Sequence, residues 1–381
     1  MMKILYLHQY FRLPEEAGSH RSWYIAKALA EKGHQVEIIT ASSDGKAKKI
    51  QVSPNIQVYY LPVYYHQSMS FWRRVWAFIV FFLKAFRKAI HLKNIDKVYA
   101  TSTPLSVGIL AWLLCKTKKI PYIFEVRDLW PLVPIEMGFI KGRIFQKILF
   151  FLEKKIYLNS LAIVVLSPPM EQYVRSIVAG KPTQVTTIPN MSDCEIFHYV
   201  KSEYPQKKIK IAYIGSIGKA NALERFIEIA PKTPEMDFYV IGKGAELENI
   251  RNKAKDMHNV FFIQEQSKQE IQKILESIEA IYISFADYSI LETCSPNKFF
   301  DGLAAGKLCI TNTQGWIKEL IEERQCGFYA KNAQEFRQKI MPFLKDTQLL
   351  DTYQQNARIL AEKQFDKNIL CSKIVSLVES T

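Results

Sequence analysis

The sequence predicts an α/β protein built from two doubly wound domains. Three observations carry that expectation. The first half opens with a strand, KILYLH (Lys3 to His8), then a polar loop, a helical run from about Trp23 to Lys32 and a second strand, QVEIIT. Strand, helix and strand in that order make a βαβ unit. The second half twice repeats a strand–glycine–helix pattern, in IKIAYIGSIGKANALERFIEIA and in DFYVIGKGAELENI. Between the halves, residues 191–206 (MSDCEIFHYVKSEYPQ) are polar and turn-rich, the composition of an interdomain linker. The 381 residues are enough for two sizeable cores. The expected domains are residues 1–195 and 205–360, and ligand loops in both imply a cleft between them.

Composition narrows the class. The six cysteines (Cys115, Cys194, Cys294, Cys309, Cys326, Cys371) show no CxxC pairing. That favours reduced thiols in a cytoplasmic chain over a zinc site or a disulfide framework. The start, MMKILYLHQYF, reads as a strand, without the long apolar run and small-residue cleavage site of a signal peptide. Charge is lopsided. Lys and Arg outnumber Asp and Glu by 26 to 13 over residues 1–200, against 25 to 24 over residues 201–381. The basic half therefore expects an anionic partner: nucleic acid, a membrane surface or a phosphorylated substrate.

In the first half, the loop FRLPEEAGSHRS has a single glycine, Gly18, so the GxGxxG of a dinucleotide site is missing. No GxxxxGK[ST] occurs either, which excludes a P-loop. Arg21 has two readings, a contact to phosphate or acceptor and a solvated arginine. From Gly45 to Ile95 there is no acidic residue, and residues 71–93 (FWRRVWAFIVFFLKAFRKAIHLK) read as one long helix. Its uncharged core, Val75 to Leu83, is too short to span a bilayer, which takes roughly 20 residues. Trp72 and Trp76 among Arg73, Arg74, Lys84, Arg87 and Lys88 give the composition of a helix lying in a membrane interface. Each cation there adds about 1 kcal/mol of attraction to anionic lipid. The alternative is a domain helix with a basic outer face. Nucleic acid fits less well, because the aromatics sit in an apolar run rather than on a polar face.

Further on, PYIFEVRDLWP is a strand ending in Glu125, Arg127 and Asp128. In open α/β sheets ligands sit at the carboxyl ends of strands. Arg127 stays protonated, so it suits phosphate or acceptor binding, while Asp128 can accept a proton from a hydroxyl. An Arg127–Asp128 pair that merely holds the loop is the competing reading.

In the second half, Gly215, Gly218 and Lys219 lie between a strand and a helix, a geometry suited to phosphate. The stretch from Ser289 to Ile310 reads as loop, helix, small-residue turn and strand. Ser295 is placed as the N-cap with Pro296 as the first helical residue. Asn297 and Lys298 follow, so free backbone N–H groups and a mobile cation meet at one point. Glu292 and Asp301 offer carboxylates on either side for sugar or ribose hydroxyls. A capped helix with a Lys298–Asp301 surface pair is the bland alternative.

SPNKFFDGLAAGK, VRDLWP and GSIGKANALE together resemble the retaining glycosyltransferases of the GT-B fold, family 4, in the bacterial branch that builds O-antigens, capsules and exopolysaccharides. The resemblance implies a hexosyltransferase-type enzyme with two Rossmann-like domains, a final helix (about 365–381) returning to the first domain, and a nucleotide-diphosphate sugar, UDP-linked, as co-substrate. It implies donor contacts from Gly18, Gly215, Lys219, Glu292, Ser295, Asn297, Lys298 and Asp301, and catalytic roles for Asp128 and Arg127. No metal is required in that fold, because cations and helix N-termini neutralise the leaving diphosphate. The chain departs from the family in three places. The first of two glutamates falls at Glu292 rather than at Thr293, Ser216 replaces an arginine, and Arg127 stands where many relatives carry histidine. With the basic first half, the expected acceptor is a membrane-associated, polyprenyl-diphosphate-linked saccharide, with Arg21 and the 71–93 helix facing it. The expected location is the cytoplasmic face of an anionic bacterial plasma membrane, with no nucleic-acid partner. A nucleotide-sugar epimerase of the same fold and a non-catalytic membrane scaffold are the alternatives.

Overall fold

The computed structural model describes residues 1–42, 44–65, 69, 71–201 and 208–381. The chain divides into two compact units. The first comprises residues 1–14, 19–189 and 371–381, and the second residues 15–18 and 190–370.

The first unit is an eight-stranded sheet. Its strands are β1 (Lys3–Leu7), β2 (Gln35–Ala41), β3 (Lys48–Ser53), β4 (Ile56–Leu61), β5 (Lys97–Thr101), β6 (Tyr122–Val126), β7 (Ala162–Val165) and β8 (Gln184–Thr187). They lie in the order β3-β4-β2-β1-β5-β6-β7-β8. All neighbours run parallel except β3, which pairs antiparallel with β4. The central strands β5, β6 and β7 are buried on both faces, and apart from Lys97, Thr101 and Glu125 their side chains are apolar or aromatic. The β3–β4 hairpin has no counterpart in the sequence reading, because edge strand β3 (KKIQVS) is exposed and carries little apolar signal.

The helices of this unit are α1 (Arg21–Glu31), α2 (Phe71–His91), α3 (Leu105–Lys118), α4 (Leu132–Glu136), α5 (Arg143–Asn159) and α6 (Pro168–Val178). Helices α2, α3, α5 and α6 pack side by side in that order. Gly108 lets α3 come close to β6, since a Cβ there would lie 2.8 Å from the Phe124 ring. Ser167 caps α6 and Pro168 opens it, as the sequence implies.

The second unit is a six-stranded parallel sheet. Its strands are β9 (Ile209–Ile214), β10 (Met236–Ile241), β11 (Val260–Ile263), β12 (Ala280–Ile283), β13 (Leu308–Thr311) and β14 (Gly327–Tyr329). The order β11-β10-β9-β12-β13-β14 is the doubly wound 3-2-1-4-5-6 arrangement. The helices are α7 (Glu224–Ile227), α8 (Leu247–Ala254), α9 (Lys268–Glu276), α10 (Asn297–Ala304), α11 (Trp316–Glu323), α12 (Ala333–Lys345) and α13 (Thr347–Leu360), and the last helix of the chain, α14 (Lys367–Ser380), starts in this unit. Aromatic contacts fill its core, with Phe226 and Tyr282 ring centroids 4.9 Å apart.

Residues 190–201 are not a loose tether. Phe197 and Asp193 are fully buried in the second unit, and Ser192 exchanges backbone hydrogen bonds with Phe365 and Lys367. The remainder of the expected linker, residues 202–207, lies outside the described residues. From Cys371 onward α14 belongs to the first unit. There Lys97 donates to the Val378 carbonyl at 2.6 Å, and His34 meets Glu379 at 3.0 Å.

Candidate functional site

In an open parallel sheet, the loops leaving the strands diverge where the strand order reverses, and the gap they leave is a ready binding site. In the second unit that point lies between β9 and β12. The loop after β9 carries Gly215 to Lys219, and the loop after β12 leads to α10.

The two glycine loops of this unit lock together. Gly215 donates to the Ile241 carbonyl and Ile217 to the Lys243 carbonyl, both at 2.9 Å. Gly242 adopts φ +143°, and a Cβ there would lie 2.0 Å from the Gly215 carbonyl oxygen. Only glycine permits that conformation and that approach. The Tyr213 hydroxyl donates to the Ser216 carbonyl at 2.5 Å and tethers the outer end of the same loop.

Lys298, the second residue of α10, reaches over this loop. Its ammonium lies 4.0 Å from the Tyr213 ring centroid and 5.9 Å from that of Phe285. Gly215 is its other neighbour, for a Cβ there would lie 3.4 Å from Lys298 Cε. Asn312 fixes Phe285 by bonding both its backbone N–H and its carbonyl at 2.9 Å. No carboxylate pairs with Lys298 among the described residues. Burial pushes its ammonium down to about 7, opposed only by the Cys294 thiol. An aromatic cage holding an unpaired, partly desolvated cation is set to receive an anion. Lys307 is also unpaired and pushed by burial to about 8. It is only 1% exposed, however, and Glu279 and Glu276 act on it electrostatically.

The other residues singled out in this unit fall differently. Ser295 does not cap α10. Pro296 occupies that position, and the Ser295 hydroxyl accepts instead from the Asn190 backbone N–H at 3.3 Å. Its carbonyl accepts from the Asn190 carboxamide at 2.5 Å, so Ser295 holds the chain entering the unit. Asp301 is not paired with Lys298 either. Its carboxylate is buried and held by Lys268 of α9 at 2.9 Å. Asn297, the first residue of α10, is half-buried. Glu292 sits half-buried in the short helical turn 289–293, against Gly315 of the loop that follows β13. Lys219 is exposed at the head of a short turn that follows Gly218.

In the first unit the strand order reverses between β1 and β5. Arg21 does not face an open site there. It is 2% exposed, and both its Nε and Nη2 lie about 3 Å from the Glu125 carboxylate, at 3.0 and 2.9 Å. It also donates to the carbonyls of Ile188 and Pro189 at 2.9 and 2.5 Å. Glu125 accepts further from the Tyr99 hydroxyl at 2.7 Å. Burial works to raise the Glu125 carboxyl, but Arg21 outweighs it and holds the group below its usual range. Arg21 is thus a structural cation that ties α1, β6 and the chain after β8 together, so neither sequence reading of it holds.

Arg127 and Asp128 do lie at the carboxyl edge of this sheet, half-buried. Arg127 donates to the Ser19 hydroxyl at 2.9 Å through its guanidinium and to the Ser102 hydroxyl at 2.9 Å through its backbone N–H. Asp128 makes no ion pair with it among the described residues and accepts a long hydrogen bond, 3.5 Å, from Thr103. Burial raises the Asp128 carboxyl, with Arg127 and Thr103 opposing, which makes it a stronger base. Gly18 takes φ +127° just before Ser19.

The sequence reading missed two residues at the same edge. His8 ends β1 with its Nδ1 2.9 Å from the Ser22 hydroxyl. Burial, then Arg127 and Arg12, hold its imidazole well below the usual histidine range, so it is neutral at pH 7. Gln9 is 1% exposed, and neither its amide nitrogen nor its oxygen has a hydrogen-bond partner among the described residues. The signal was the polar HQ pair directly after an apolar strand. Among the described residues no group of three His, Cys, Asp or Glu side chains is arranged to hold a metal ion.

On helix α2, Ala77, Phe81, Ala85 and Ala89 form the buried spine. Trp72 and Trp76 stand out at 77% and 66% exposure, and Arg73 and Arg87 are exposed with them. Lys84 and Lys88 turn back toward the domain. Lys84 donates to the Pro62 carbonyl at 2.8 Å, and the Lys88 ammonium lies 3.9 Å from the Tyr59 ring centroid. Arg74 is half-buried. No helix among the described residues is long and apolar enough to cross a membrane.

Two Rossmann-like α/β units built on parallel sheets are the architecture of the GT-B class of fold. Residues 18–191 match the glycosyl transferase 4-like domain, and residues 197–360 match the glycosyl transferases group 1 domain. The chain belongs to the glycosyltransferases and is an enzyme of the hexosyltransferase type.

Solved structures agree in fold. The sucrose-phosphate synthase of Thermosynechococcus elongatus superposes with a TM-score of 0.80 at 16% identity, covering 100% of this chain and 99% of that one. Anabaena HepE, in complex with UDP and glucose, gives 0.71 at 13% identity and covers 100% of both chains. WaaG, a glycosyltransferase involved in lipopolysaccharide biosynthesis, gives 0.69 at 13%, covering 98% of this chain and 99% of that one. No protein of curated function matches the chain by sequence.

Proposed function

We propose that this enzyme transfers a sugar from a UDP-linked donor to a hydroxyl of a membrane-associated, polyprenyl-diphosphate-linked saccharide, with retention, in the synthesis of a surface polysaccharide such as lipopolysaccharide or capsule. The observation that carries the donor half is Lys298, an unpaired ammonium caged by Tyr213 and Phe285 beside the Gly215 loop. UDP is the favoured nucleotide because a structural neighbour of the same fold, HepE, is described with UDP and glucose. WaaG, by its description, lends the same support to the polysaccharide role.

In this reading the bond between the anomeric carbon and the donor diphosphate breaks, and the acceptor oxygen bonds to that carbon. The acceptor proton passes to Asp128, whose raised basicity suits the task. Arg127, fixed by Ser19 and Ser102, holds a phosphate or the acceptor. Lys298, Lys219 and the N–H groups opening α10 stabilise the departing diphosphate, so the reaction runs without a metal ion. Glu292 takes sugar hydroxyls, Asn297 and Gly18 complete the contacts to the donor, and Asp301 contributes to the ribose side through its pair with Lys268. Working location is the cytoplasmic face of the membrane, with Trp72, Arg73, Trp76 and Arg87 of α2 toward the bilayer.

The test is a thermal-shift series with uridine, guanosine, adenosine and thymidine diphosphates in the presence of a chelator. Stabilisation by uridine diphosphate is expected. Stabilisation by another base alone would replace the donor, and no shift with any nucleotide would overturn the donor site at Lys298. Release of nucleotide that depends on an added lipid-linked saccharide separates a transferase from an epimerase.

A further inference from the structure

We infer that α2 does not meet the bilayer alone: the amino-terminal turns of α5 form a second contact, and the two helices make one docking surface for anionic lipid. The inference rests on the membrane-acceptor reading and extends it to a helix that reading did not use.

Exposure supplies the first argument. Apart from Met1 and Tyr64, every large apolar side chain exposed by 50% or more among the described residues lies on α2 or α5. On α2 these are Trp72, Trp76 and Leu83, at 77%, 66% and 58%, and on α5 they are Ile144, Phe145 and Phe151, at 79%, 50% and 57%. The second unit has none. On α2 the spacing is helical, and Ile79 and Ile90 continue the same stripe at 43% and 37%.

Topology supplies the second. Helix α5 has 17 residues, about 25 Å, and leads after a two-residue connection into β7, whose four residues span about 13 Å. A crossover helix runs antiparallel to the strands it joins. The first turns of α5 therefore overhang the carboxyl edge of the sheet, the edge that carries His8, Gln9, Arg127 and Asp128. Helix α2, with 21 residues, enters β5 in the same way, so Trp72 and Trp76 lie toward that edge too. Helix α3 packs against both and joins them in one layer.

Charge selects the occupant. Residues 45–95 and 137–152 contain no Asp or Glu, and the two acid-free stretches hold the two exposed apolar runs. Arg73 and Arg87 stand exposed on α2, and Arg143 and Lys147 on α5. A second copy placed on this face would set cation against cation. An anionic interface satisfies the cations and buries the aromatics at headgroup depth. A lipid acceptor would then arrive at the edge that carries Asp128.

The experiment is co-sedimentation with vesicles of phosphatidylcholine and phosphatidylglycerol at 3:1, against phosphatidylcholine alone. It compares the native chain with Trp72→Glu/Trp76→Glu on α2 and Phe145→Glu/Phe151→Glu on α5, each checked for an unchanged thermal midpoint. Native protein should bind the anionic vesicles, and each pair should lose at least tenfold in partitioning. An α5 pair that binds like the native chain while the α2 pair does not would overturn the second contact and leave the α2 reading standing. A native chain that ignores anionic vesicles would overturn both. A dimer that the α5 pair converts to monomer would assign the face to a second copy instead. Should the Glu pair unfold, Ile144→Trp gives an independent readout. Its emission, taken as the difference from the native chain, should shift to the blue on anionic vesicles and be quenched by brominated lipid, and an unshifted spectrum counts against α5.

Discussion

Two cations withdrawn from water, Arg21 fully and Lys298 in part, show how differently the same physics can be used. Arg21 is enclosed and fully answered, by the Glu125 carboxylate and by two carbonyls. Lys298 is caged by two aromatic rings with no carboxylate, and burial depresses its ammonium to about 7. Desolvating a charge is costly, so a cation stays charged in the interior only when partners compensate it. At Arg21 the fold supplies those partners, and the residue is structure. At Lys298 the fold withholds them, and the natural compensating partner is a ligand. Sequence leaves each with the same two readings, a ligand contact or a surface charge, and only their surroundings separate them.

The largest effect should come from breaking the compensated site. Arg21→Ala leaves Glu125 buried with an unpaired charge and should cost about 3–5 kcal/mol of stability, measured by urea denaturation. A loss within about 0.5 kcal/mol, the range of an ordinary surface substitution, would mean that the site relaxes and that the contrast with Lys298 is weaker than drawn. Lys298→Met should do the reverse. Stability should hold or rise, because a desolvated charge is removed, while affinity for uridine diphosphate should fall ten- to hundredfold, roughly the 1.5–3 kcal/mol of a charge-assisted contact. Isothermal titration and a thermal melt on the same variant check both halves.

The pH dependence sharpens the same point. Lys298 without ligand titrates at about 7, and a bound diphosphate favours its charged form and so raises that value. Binding above pH 7 therefore takes up a proton. Between pH 7 and 9, where the diphosphate is mostly ionised, affinity should fall as pH rises by about five- to twentyfold in all, the range that a ten- to hundredfold charge contribution allows, and the slope should vanish in Lys298→Met. A flat profile in the native chain would place the diphosphate elsewhere. The smallest effect belongs to exposed Lys219. Lys219→Ala should weaken nucleotide binding about threefold, in line with a solvent-screened charge, and should leave the pH slope intact.

Much of the fold was legible because its elements are short-range statements. Apolar runs that end in polar residues mark β1 and β6, one that ends in glycine marks β9, and Ser167-Pro168 marks the start of α6. The exposed β3 strand was not legible, since it has little apolar pattern to betray it. At the site, Lys298 and the Gly215 loop were read from local spacing, and the structure sets them in contact. For Asp301 local spacing offers a sugar or ribose contact or a surface pair with Lys298, and for Arg21 a phosphate or acceptor contact or a solvated charge. Their partners, Lys268 and Glu125, lie 33 and 104 residues away in sequence, and no local pattern predicts such pairs. Ser295 has every feature of an N-cap, yet Asn190 claims its hydroxyl and the helix starts after Pro296.

By itself, the sequence determined the alternation of strands and helices, the two glycine loops, the acid-free stretches and the positions where strands end in polar residues. These follow from periodicity and backbone sterics, which act over a few residues. Tertiary structure alone decided which charges are answered and which are left open. That choice depends on which distant side chain packing brings within about 3 Å, and on how much water remains around the charge when it arrives.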